Sequence, residues 1–297
     1  MLETLKQQFA NVAGLTFEQR DALIMIGVKN AQGQAVFTTH GAHLLSFQPN
    51  QAGAKDCLWV SESAVYDGTK PIRGGIPICW PWFGAAPREG LPAHGFVRNR
   101  AWQLVDAETL AEGSTRLRLE TQSDDATLSM WPVPFKLSLT IEVGASLTLS
   151  LTSTNLSDHS QQLTEAFHSY FAISDTDAVS VSGLAGSECH DKLTHATVAV
   201  QSGDLKITPP IDSVFLNQQG ELVIEDALWQ RQLTLQNSGT SSAIVWNPGS
   251  ELIKGFADMD NQAWPRMLCV EVGNVLQNAV TIPSQGTHTM TMVLKSR

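Results

Sequence analysis

The sequence has few cysteines, no excess of positive charge and no long apolar run, and each shortage excludes a class of protein. Four cysteines in 297 residues, without a C-x-x-C pair, do not make the dense framework of a small secreted domain. A formal net charge of −10 argues against a nucleic acid or an anionic membrane surface as the partner. No apolar run approaches the ~20 residues of a spanning helix. The N-terminus carries no recognisable targeting pattern, so we expect a cytoplasmic globular protein.

Several catalytic signatures are missing as well. Neither a G-x-G-x-x-G turn nor a P-loop follows a strand pattern, so the main nucleotide fingerprints are absent. The adjacent His168 and Ser169 lack a G-x-S-x-G elbow around the serine. His40 and His43 of HGAH look like a chelating pair, but residues i and i+3 of a strand point to opposite faces. We therefore predict no metal site at HGAH.

What the sequence has in abundance is the alternation of apolar and polar residues that is typical of half-buried strands. The clearest stretches are 115–122, 135–144, 146–157, 179–183, 231–239 and 288–295. We predict a hairpin over residues 135–154, with Gly144 supplying a positive φ at its turn. Only two short helices are expected, at residues 3–10 and 226–230. This organisation predicts an all-β fold, a single large antiparallel β-sandwich domain over residues 1–297.

Two neighbouring segments look unlike regular structure. RGGIPICWPWFG covers residues 73–84, and PAHGFVRNR covers residues 92–100. Glycines let the backbone approach a ligand closely, and the aromatic residues form a stiff apolar wall. This wall is either core packing against a long loop or the edge of a pocket. The pocket edge is favoured by four nearby basic or titratable residues, Arg73, His94, Arg98 and Arg100.

Two titratable residues stand out in apolar surroundings. His168 lies within EAFHSYF, where it is either a satisfied core histidine or a functional group. Glu271 lies in the apolar run CVEVGNV, and a buried carboxylate without a partner is costly. It is either a paired structural residue or a base whose pKa is raised by burial in a dry pocket.

Taken together, these motifs resemble those of the hexose-6-phosphate mutarotases of the aldose 1-epimerase superfamily. The resemblance rests on RGGIPICWPWFG, PAHGFVRN, EAFHSYF, GLAGSECHDK, IDSVFLN, WNPG and CVEVGNV, which run from residue 73 to about residue 275. It implies a galactose-mutarotase-like β-sandwich and a cytosolic enzyme that interconverts the α and β anomers of glucose 6-phosphate and related hexose 6-phosphates. It also implies that neither a metal nor an organic cofactor is needed. Residues 1–20 lie outside the resemblance and are expected to be an N-terminal extension.

The resemblance also assigns roles to individual residues. His168 is similar to the family's general acid, and Glu271 to its general base. His94 is similar to the second histidine of the active site, and Asp212 to an acidic residue that contacts sugar hydroxyls. Arg73 and Arg98 resemble arginines of the substrate site, where the phosphate is expected. A guanidinium suits phosphate because its planar fork donates two charge-assisted hydrogen bonds.

Two other functions remain open from the sequence. A non-catalytic carbohydrate-binding sandwich would use the aromatic residues to hold a sugar without an acid and a base. A glycoside hydrolase would need two carboxylates roughly 5–9.5 Å apart across the scissile bond. The expected partner is a small hexose phosphate rather than a nucleic acid or a membrane. The oligomeric state is not determined by the sequence, and a monomer is the simplest expectation.

Overall fold

The computed structural model describes residues 1–196 and 199–297. The helices within these ranges are short: α1 (Leu2–Gln8), α2 (Asp125–Met130) and α3 (Gly249–Leu252). Single 3-10 turns occur at Val97–Asn99, Thr176–Ala178, Ile253–Gly255, Trp264–Arg266 and Leu276–Asn278. The first strands are β1 (Leu15–Arg20), β2 (Leu23–Lys29), β3 (Gly33–Thr38), β4 (His43–Pro49), β5 (Ile78–Cys79), β6 (Gln103–Thr109), β7 (Thr115–Gln122), β8 (Phe135–Val143), β9 (Leu147–Asn155), β10 (Gln161–Leu163), β11 (Glu165–Phe167) and β12 (Tyr170–Ala172). The remaining strands are β13 (Val179–Ser182), β14 (Glu188–Asp191), β15 (Ala199–Val200), β16 (Leu205–Lys206), β17 (Ile211–Leu216), β18 (Leu222–Asp226), β19 (Arg231–Ser238), β20 (Ser242–Asn247), β21 (Met267–Asn274), β22 (Val280–Ile282) and β23 (Thr287–Ser296).

Most strands belong to two large sheets. The nine-stranded sheet has the order β16-β13-β18-β19-β23-β9-β8-β7-β6. The eight-stranded sheet has the order β15-β14-β17-β20-β21-β11-β5, with β12 also paired to β21. A β1–β4 meander and the β10–β22 pair complete the fold. Every ladder between these strands is antiparallel within the described ranges, which confirms the predicted all-β antiparallel sandwich.

The predicted alternation is confirmed most clearly in the hairpin of β8 and β9. Every second residue of both strands is buried, and the residues between them are only partly covered. Leu139 and Leu151 pair across the hairpin and share one core with Val272 of the facing sheet. Burying a side chain of this size stabilises the fold by about 1.5–3 kcal/mol, so this core holds the two sheets together.

Two local predictions need correction. The hairpin forms, but Gly144 does not adopt a positive φ, since its φ lies outside the left-handed range. A Cβ at this position would lie 3.0 Å from Oε1 of Gln32 and 3.2 Å from Cβ of Ser114. The residue is therefore required for space rather than for backbone freedom.

The helix predicted at residues 226–230 is wrong. Asp226 ends β18, and residues 227–230 form the turn into β19. The Asp226 carboxylate accepts hydrogen bonds from the backbone N–H groups of Ser174 at 2.8 Å and Trp229 at 3.1 Å. An aspartate that accepts from a backbone N–H a few residues ahead starts a turn as readily as a helix, and the five-residue pattern was too short to distinguish them. The other predicted helix is confirmed as α1.

Strand β21 differs from the alternating strands because all eight of its residues are buried. Its inner face contributes Leu268, Val270 and Val272 to the core between the sheets. Its outer face carries Cys269 and Glu271 and is covered by loops and side chains outside the sandwich core. This double cover explains why the sequence here reads as a continuous apolar run interrupted by one glutamate.

The first twenty residues pack onto this framework. Helix α1 buries Leu5, and strand β1 pairs with β2 along its whole length and buries Phe17. None of the helices in the described ranges has the length and apolar character that crossing a membrane requires.

Candidate active site

The candidate site is a cavity of about 160 Å³ on the outer face of the eight-stranded sheet. Its floor comes from adjacent strands: Ile244 on β20 lies opposite Glu271 on β21, and Trp246 on β20 lies opposite Asp212 on β17. Alternate residues of a strand share a face, so the ladder itself brings these side chains together. The cavity is lined by Arg73, Phe83, His94, His168, Tyr170, Lys192, Asp212, Ile244, Trp246, Phe256 and Glu271.

The histidine and glutamate singled out in the sequence lie side by side in this cavity. Nε2 of His168 is 3.5 Å from Oε1 of Glu271. Glu271 is 1 % exposed and His168 is 8 % exposed. Within the described part of the chain, Nδ1 of His168 and Oε2 of Glu271 are buried without a hydrogen-bond partner. The pair therefore keeps polar atoms available for a ligand.

Burial changes the acidity of both groups. Loss of hydration raises the pKa of Glu271 well above its ordinary value, and the nearby Asp212 carboxylate adds to the rise. Loss of hydration also lowers the pKa of His168 well below 6.5, and the neighbouring His94, Arg98 and Arg73 lower it further. Both neutral forms are therefore favoured, so the pair holds one proton.

His168 is held at two points, its backbone N–H and one face of its ring. Its backbone N–H donates to the carbonyl of Pro77 at 3.0 Å, which attaches the residue to the loop before β5. Its ring stacks on Tyr170, with 4.9 Å between ring centroids and 12° between planes. The imidazole can therefore turn only slightly, and its nitrogens keep their directions relative to Glu271.

Arg73 is held at the cavity by two side chains. Its Nε lies 3.1 Å from Oδ2 of Asp258, and its Nη1 donates to the Tyr170 hydroxyl at 3.1 Å. The guanidinium carbon lies 5.0 Å from the centre of the Phe256 ring. These contacts orient the planar fork before any ligand arrives, which reduces the entropy lost on binding an anion.

The loop that carries Arg73 is held by close backbone contacts. Gly75 has a φ of +65°, and a Cβ there would lie 2.1 Å from the carbonyl oxygen of Leu44. Nε2 of His43 lies 2.7 Å from the carbonyl oxygen of Gly74, and burial lowers the pKa of His43 to about 4. Because His43 is neutral, this nitrogen carries the proton that it donates to Gly74. This histidine therefore supports the loop.

The surroundings of HGAH differ from the strand assumed for it. His40 forms an isolated bridge, and the backbone turns at Gly41 and Ala42, whose φ values are +72° and +47°, before β4 begins at His43. The two histidines are thus separated by a turn, which corrects the stated reason for expecting no metal there.

The sequence left open whether the aromatic residues of RGGIPICWPWFG pack in the core or form the edge of a pocket. Both interpretations apply, to different residues. Trp80 is core, 1 % exposed, and its Nε1 donates to the Ser153 hydroxyl at 3.1 Å. Trp82 also belongs to the core cluster. Phe83 lines the cavity and packs edge-on against His94, with 4.8 Å between ring centroids. One segment therefore supplies both core packing and a pocket wall.

Five of the six predicted site residues line the cavity, and Arg98 is not among the described lining residues. Arg98 lies in the turn Val97–Asn99, and its Nη2 donates to the carbonyl of Ala93 at 2.9 Å. The charge of Arg98 still lowers the pKa values of His94 and His168. The spacing of motifs along a chain does not reveal such a backward turn of a long side chain.

Lys192 was not among the predicted site residues, but it lines the cavity beside Asp212. Its Nζ lies 3.2 Å from Oδ2 of Asp212, and its side chain is 44 % exposed. The antiparallel pairing of β14 with β17, which ends at Asp191 and Ser213, brings Lys192 next to Asp212. Lys192 is the last residue of the quoted motif GLAGSECHDK, so the motif contained this signal.

Metal-ligating atoms also converge on the floor. The side-chain donor atoms of His168, Cys269 and Glu271 all lie within 4.8 Å of one another. A soft divalent cation is compatible with this donor set. Such an ion would occupy the two residues that the resemblance assigns as acid and base, so the expectation of a metal-independent site stays a prediction.

Comparison with known proteins identifies the family. The sequence model of the family described as aldose 1-epimerase matches residues 25–295. A Salmonella typhimurium protein, provisionally named glucose-6-phosphate 1-epimerase, is 36% identical over 276 residues, which cover 92% of this chain and 89% of that protein. The crystal structure of a Salmonella typhimurium protein provisionally described as a mutarotase has a TM-score of 0.89 and 31% identity, covering 99% of both chains.

A more distant structure supports the fold alone. Galactose 1-epimerase from Lactobacillus acidophilus has a TM-score of 0.73 at 14% identity, and the likeness covers 95% of this chain and 98% of that one. The family match and the 36% identity over most of both chains go further. They show that this chain belongs to the aldose 1-epimerase family.

Proposed function

We propose that this enzyme interconverts the α and β anomers of glucose 6-phosphate and related hexose 6-phosphates. The observation that carries the proposal is the buried contact of 3.5 Å between His168 and Glu271 in a cavity that two cations, Arg73 and Lys192, also line. The pair supplies proton transfer, and the cations supply recognition of a dianionic group. The provisional name of the Salmonella relative, glucose-6-phosphate 1-epimerase, agrees with this substrate.

Anomer exchange requires two proton transfers. The ring oxygen must gain a proton while the hydroxyl on C1 loses one, which breaks the bond between C1 and the ring oxygen and gives the open aldehyde. Rotation about the C1–C2 bond then presents the other face of the aldehyde, and ring closure reverses both transfers. In our proposal His168 protonates the ring oxygen and Glu271 accepts the proton from the C1 hydroxyl. Each transfer of this kind contributes about 10²–10⁴-fold to the rate.

The His168–Glu271 pair shares one proton, and its location decides which residue acts as the acid. The single proton of the pair is favoured on Glu271, because burial disfavours both charges. Arg73 and Arg98 lower the pKa of His168 by repulsion. Transfer of this proton across the 3.5 Å contact gives the form in which His168 can protonate the ring oxygen and the ionised Glu271 can accept from the C1 hydroxyl.

The phosphate is bound by local charges, because the chain as a whole carries a net charge of −10. Arg73 is preorganised by Asp258 and Tyr170 and can direct two parallel N–H donors at a phosphate. Lys192 is more exposed and adds a mobile positive charge. Asp212, beside Lys192, accepts from sugar hydroxyls. Arg98, predicted from the family resemblance as a phosphate ligand, acts here as a charge at longer range.

We also propose that the chain works in the cytoplasm as a monomer, with residues 1–297 forming one domain. Four free thiols, three of them buried, suit a reducing compartment. Residues from α1 to β23 contribute to one shared core cluster. Sedimentation or size-exclusion chromatography would test the monomer.

The test is polarimetry and exchange NMR on α-glucose 6-phosphate with and without the protein. Faster anomer exchange without release of phosphate or any other product is the expected result. Line broadening of the sugar without faster exchange would instead indicate a carbohydrate-binding protein. Cleavage of aryl glycosides would indicate a glycoside hydrolase. Parallel assays on galactose and mannose 6-phosphates and on free glucose would define the preferred substrate.

A further inference from the structure

Among the described residues, the hydrogen-bond contacts to the His94 ring all reach one nitrogen, Nδ1. The backbone N–H of Gly84 lies 3.3 Å from Nδ1, and the Cys79 thiol lies 3.4 Å from the same nitrogen. The backbone N–H of His94 donates in turn to the Gly84 carbonyl at 2.7 Å. His94 itself has a φ of +61°, a conformation that L residues rarely adopt. Several contacts thus fix both the backbone and the ring.

These contacts determine which nitrogen carries the proton. A backbone N–H can only donate, so Nδ1 must be the acceptor, and the proton of the neutral ring lies on Nε2. Burial and the nearby cations Arg98, Lys192 and Arg73 lower the pKa of His94 to about 3, so the ring is neutral at ordinary pH. Burial also raises the pKa of Cys79, which keeps the sulfur protonated and able to donate.

The ring of His94 lies at the cavity next to His168. His94 lines the cavity, and its ring centroid is 5.3 Å from that of His168. Within the described residues, Nε2 of His94 has no hydrogen-bond partner. It is also not one of the polar side-chain atoms that are fully buried without a partner. A neutral N–H in this position can donate to a sugar oxygen as the proton leaves the C1 hydroxyl, and it adds no positive charge beside His168.

We propose that Cys79 is a positioning residue, whose thiol together with the Gly84 N–H holds His94 in the Nε2–H tautomer and so presents a hydrogen-bond donor to the reacting end of the sugar. The kinetic part of this inference rests on the proposed function, whereas the tautomer of His94 does not. Cys79 acts only through His94, since it is fully buried and pairs in β5 with Ala166 of β11.

The proposal is tested with substitutions that separate the thiol's donor from its volume. Cys79→Val keeps a similar volume and removes the donor, whereas Cys79→Ser keeps a hydroxyl donor at the same position. We expect Cys79→Val to lower kcat about fivefold with little change in KM, which converts to about 1 kcal/mol, the size of one hydrogen bond. We expect Cys79→Ser to retain most of the activity.

A direct readout comes from NMR of protein labelled with ¹⁵N histidine. We expect the wild-type His94 ring to show the Nε2–H tautomer, and Cys79→Val to shift its Nδ1 resonance because one of the two donors to this nitrogen is lost, while the Gly84 N–H still disfavours the other tautomer. Cys57→Ala, which removes another fully buried thiol, is the matched control and should change neither the spectrum nor kcat.

Two outcomes would overturn the proposal. An unchanged His94 spectrum in Cys79→Val would show that the thiol only packs against the ring. Equal loss of kcat in Cys79→Val and Cys79→Ser would show that volume matters rather than the donor. If Cys79→Val does not fold, Cys79→Ala provides the same comparison with less steric change. Because the spectrum needs no substrate, it separates this inference from any failure of the proposed reaction.

Discussion

Nε2 of His168 lies 3.5 Å from Oε1 of Glu271, and both side chains are almost completely removed from water. The two residues come from adjacent parts of one sheet, since β11 and β12 on either side of His168 both pair with β21. Their relation is therefore set by backbone hydrogen bonds rather than by flexible loops. This makes the pair rigid enough for proton transfer in a fixed geometry.

Removing either member of the pair should abolish most of the activity. We expect His168→Asn and Glu271→Gln each to lower kcat by roughly 10²-fold or more, because each removes one proton-transfer group at similar volume. Exchange NMR with glucose 6-phosphate measures the rate. His159→Asn, at an exposed histidine, is the control and should behave as wild type. A folded His168 or Glu271 variant with a near-wild-type rate would exclude that residue from the mechanism.

The pH profile of kcat/KM should reflect a pair that holds one proton. As the pH falls, the pair takes up a second proton, on His168, only below the lowered pKa of that residue. Activity should therefore persist below pH 6.5. As the pH rises, the pair loses its proton at the raised pKa of Glu271, so the alkaline limb should lie well above the ordinary range of a carboxyl group.

Free glucose is the better substrate for this profile, because a phosphate monoester titrates near pH ~6 and would obscure the acid limb. An acid limb at or above the ordinary histidine pKa of 6.5 would contradict the assignment.

The cations should distinguish phosphorylated from free sugar. We expect Lys192→Gln and Arg73→Gln to raise KM for glucose 6-phosphate by roughly 10- to 100-fold, since each removes a charge-assisted contact of about 1.5–3 kcal/mol. Activity on free glucose should change much less. Arg98→Gln should have a smaller effect, because Arg98 donates to the Ala93 carbonyl.

Lys254→Gln provides the matched control, because Lys254 is exposed and paired with Glu251 away from the lining of the cavity. Equal losses on free glucose and on the phosphate would show that Arg73 and Lys192 hold the sugar or the loop, and the phosphate site would then lie elsewhere.

Chelation should leave the reaction unchanged. The proposed proton transfers need no ion, although His168, Cys269 and Glu271 place three donor atoms within 4.8 Å of one another. The measurement is the exchange rate after dialysis against EDTA, together with metal analysis of the protein. Activity that disappears on chelation and returns with a single metal would identify this cluster as a metal centre.

A second histidine–glutamate pair should make stability depend on pH. Nε2 of His288 lies 3.1 Å from Oε1 of the fully buried Glu165, and this hydrogen bond raises the pKa of His288. A raised folded pKa means that the stabilisation is complete below 6.5 and is lost as the pH rises through the folded value. Thermal unfolding of wild type should therefore show a loss of stability on the alkaline side that is reduced in His288→Gln. The same pH dependence in both proteins would contradict this origin.

The sequence predicted the fold well where one face of a strand is solvated. The alternation in β8 and β9 identified their hairpin, because burial on one side only leaves a period of two. It failed at Asp226, where a carboxylate that accepts from backbone N–H groups is compatible with both a turn and a helix start.

The residues on the floor of the candidate site were easier to predict from the sequence than those at its rim. His168 and Glu271 stood out as titratable residues in apolar strands, Asp212 was named from the family resemblance alone, and the structure brings all three to one cavity. Lys192 was missed and Arg98 was misplaced relative to the cavity lining, because both depend on how a long side chain leaves its loop. A linear pattern carries no such directional information.

Glu271 lies on a strand that is covered on both faces, whereas Lys192 lies at the half-exposed rim of the cavity. Substitutions at these two places should therefore differ in their effect on stability. The hydrogens of the β21 backbone amides should exchange with solvent only through global unfolding, because the strand pairs on both sides and all of its residues are buried. The stretch around the half-exposed Lys192 should exchange through small local openings. Changes that alter which sugar is bound can therefore accumulate at the rim at little cost in stability, whereas a change at Glu271 affects a strand that is fully buried and paired on both sides.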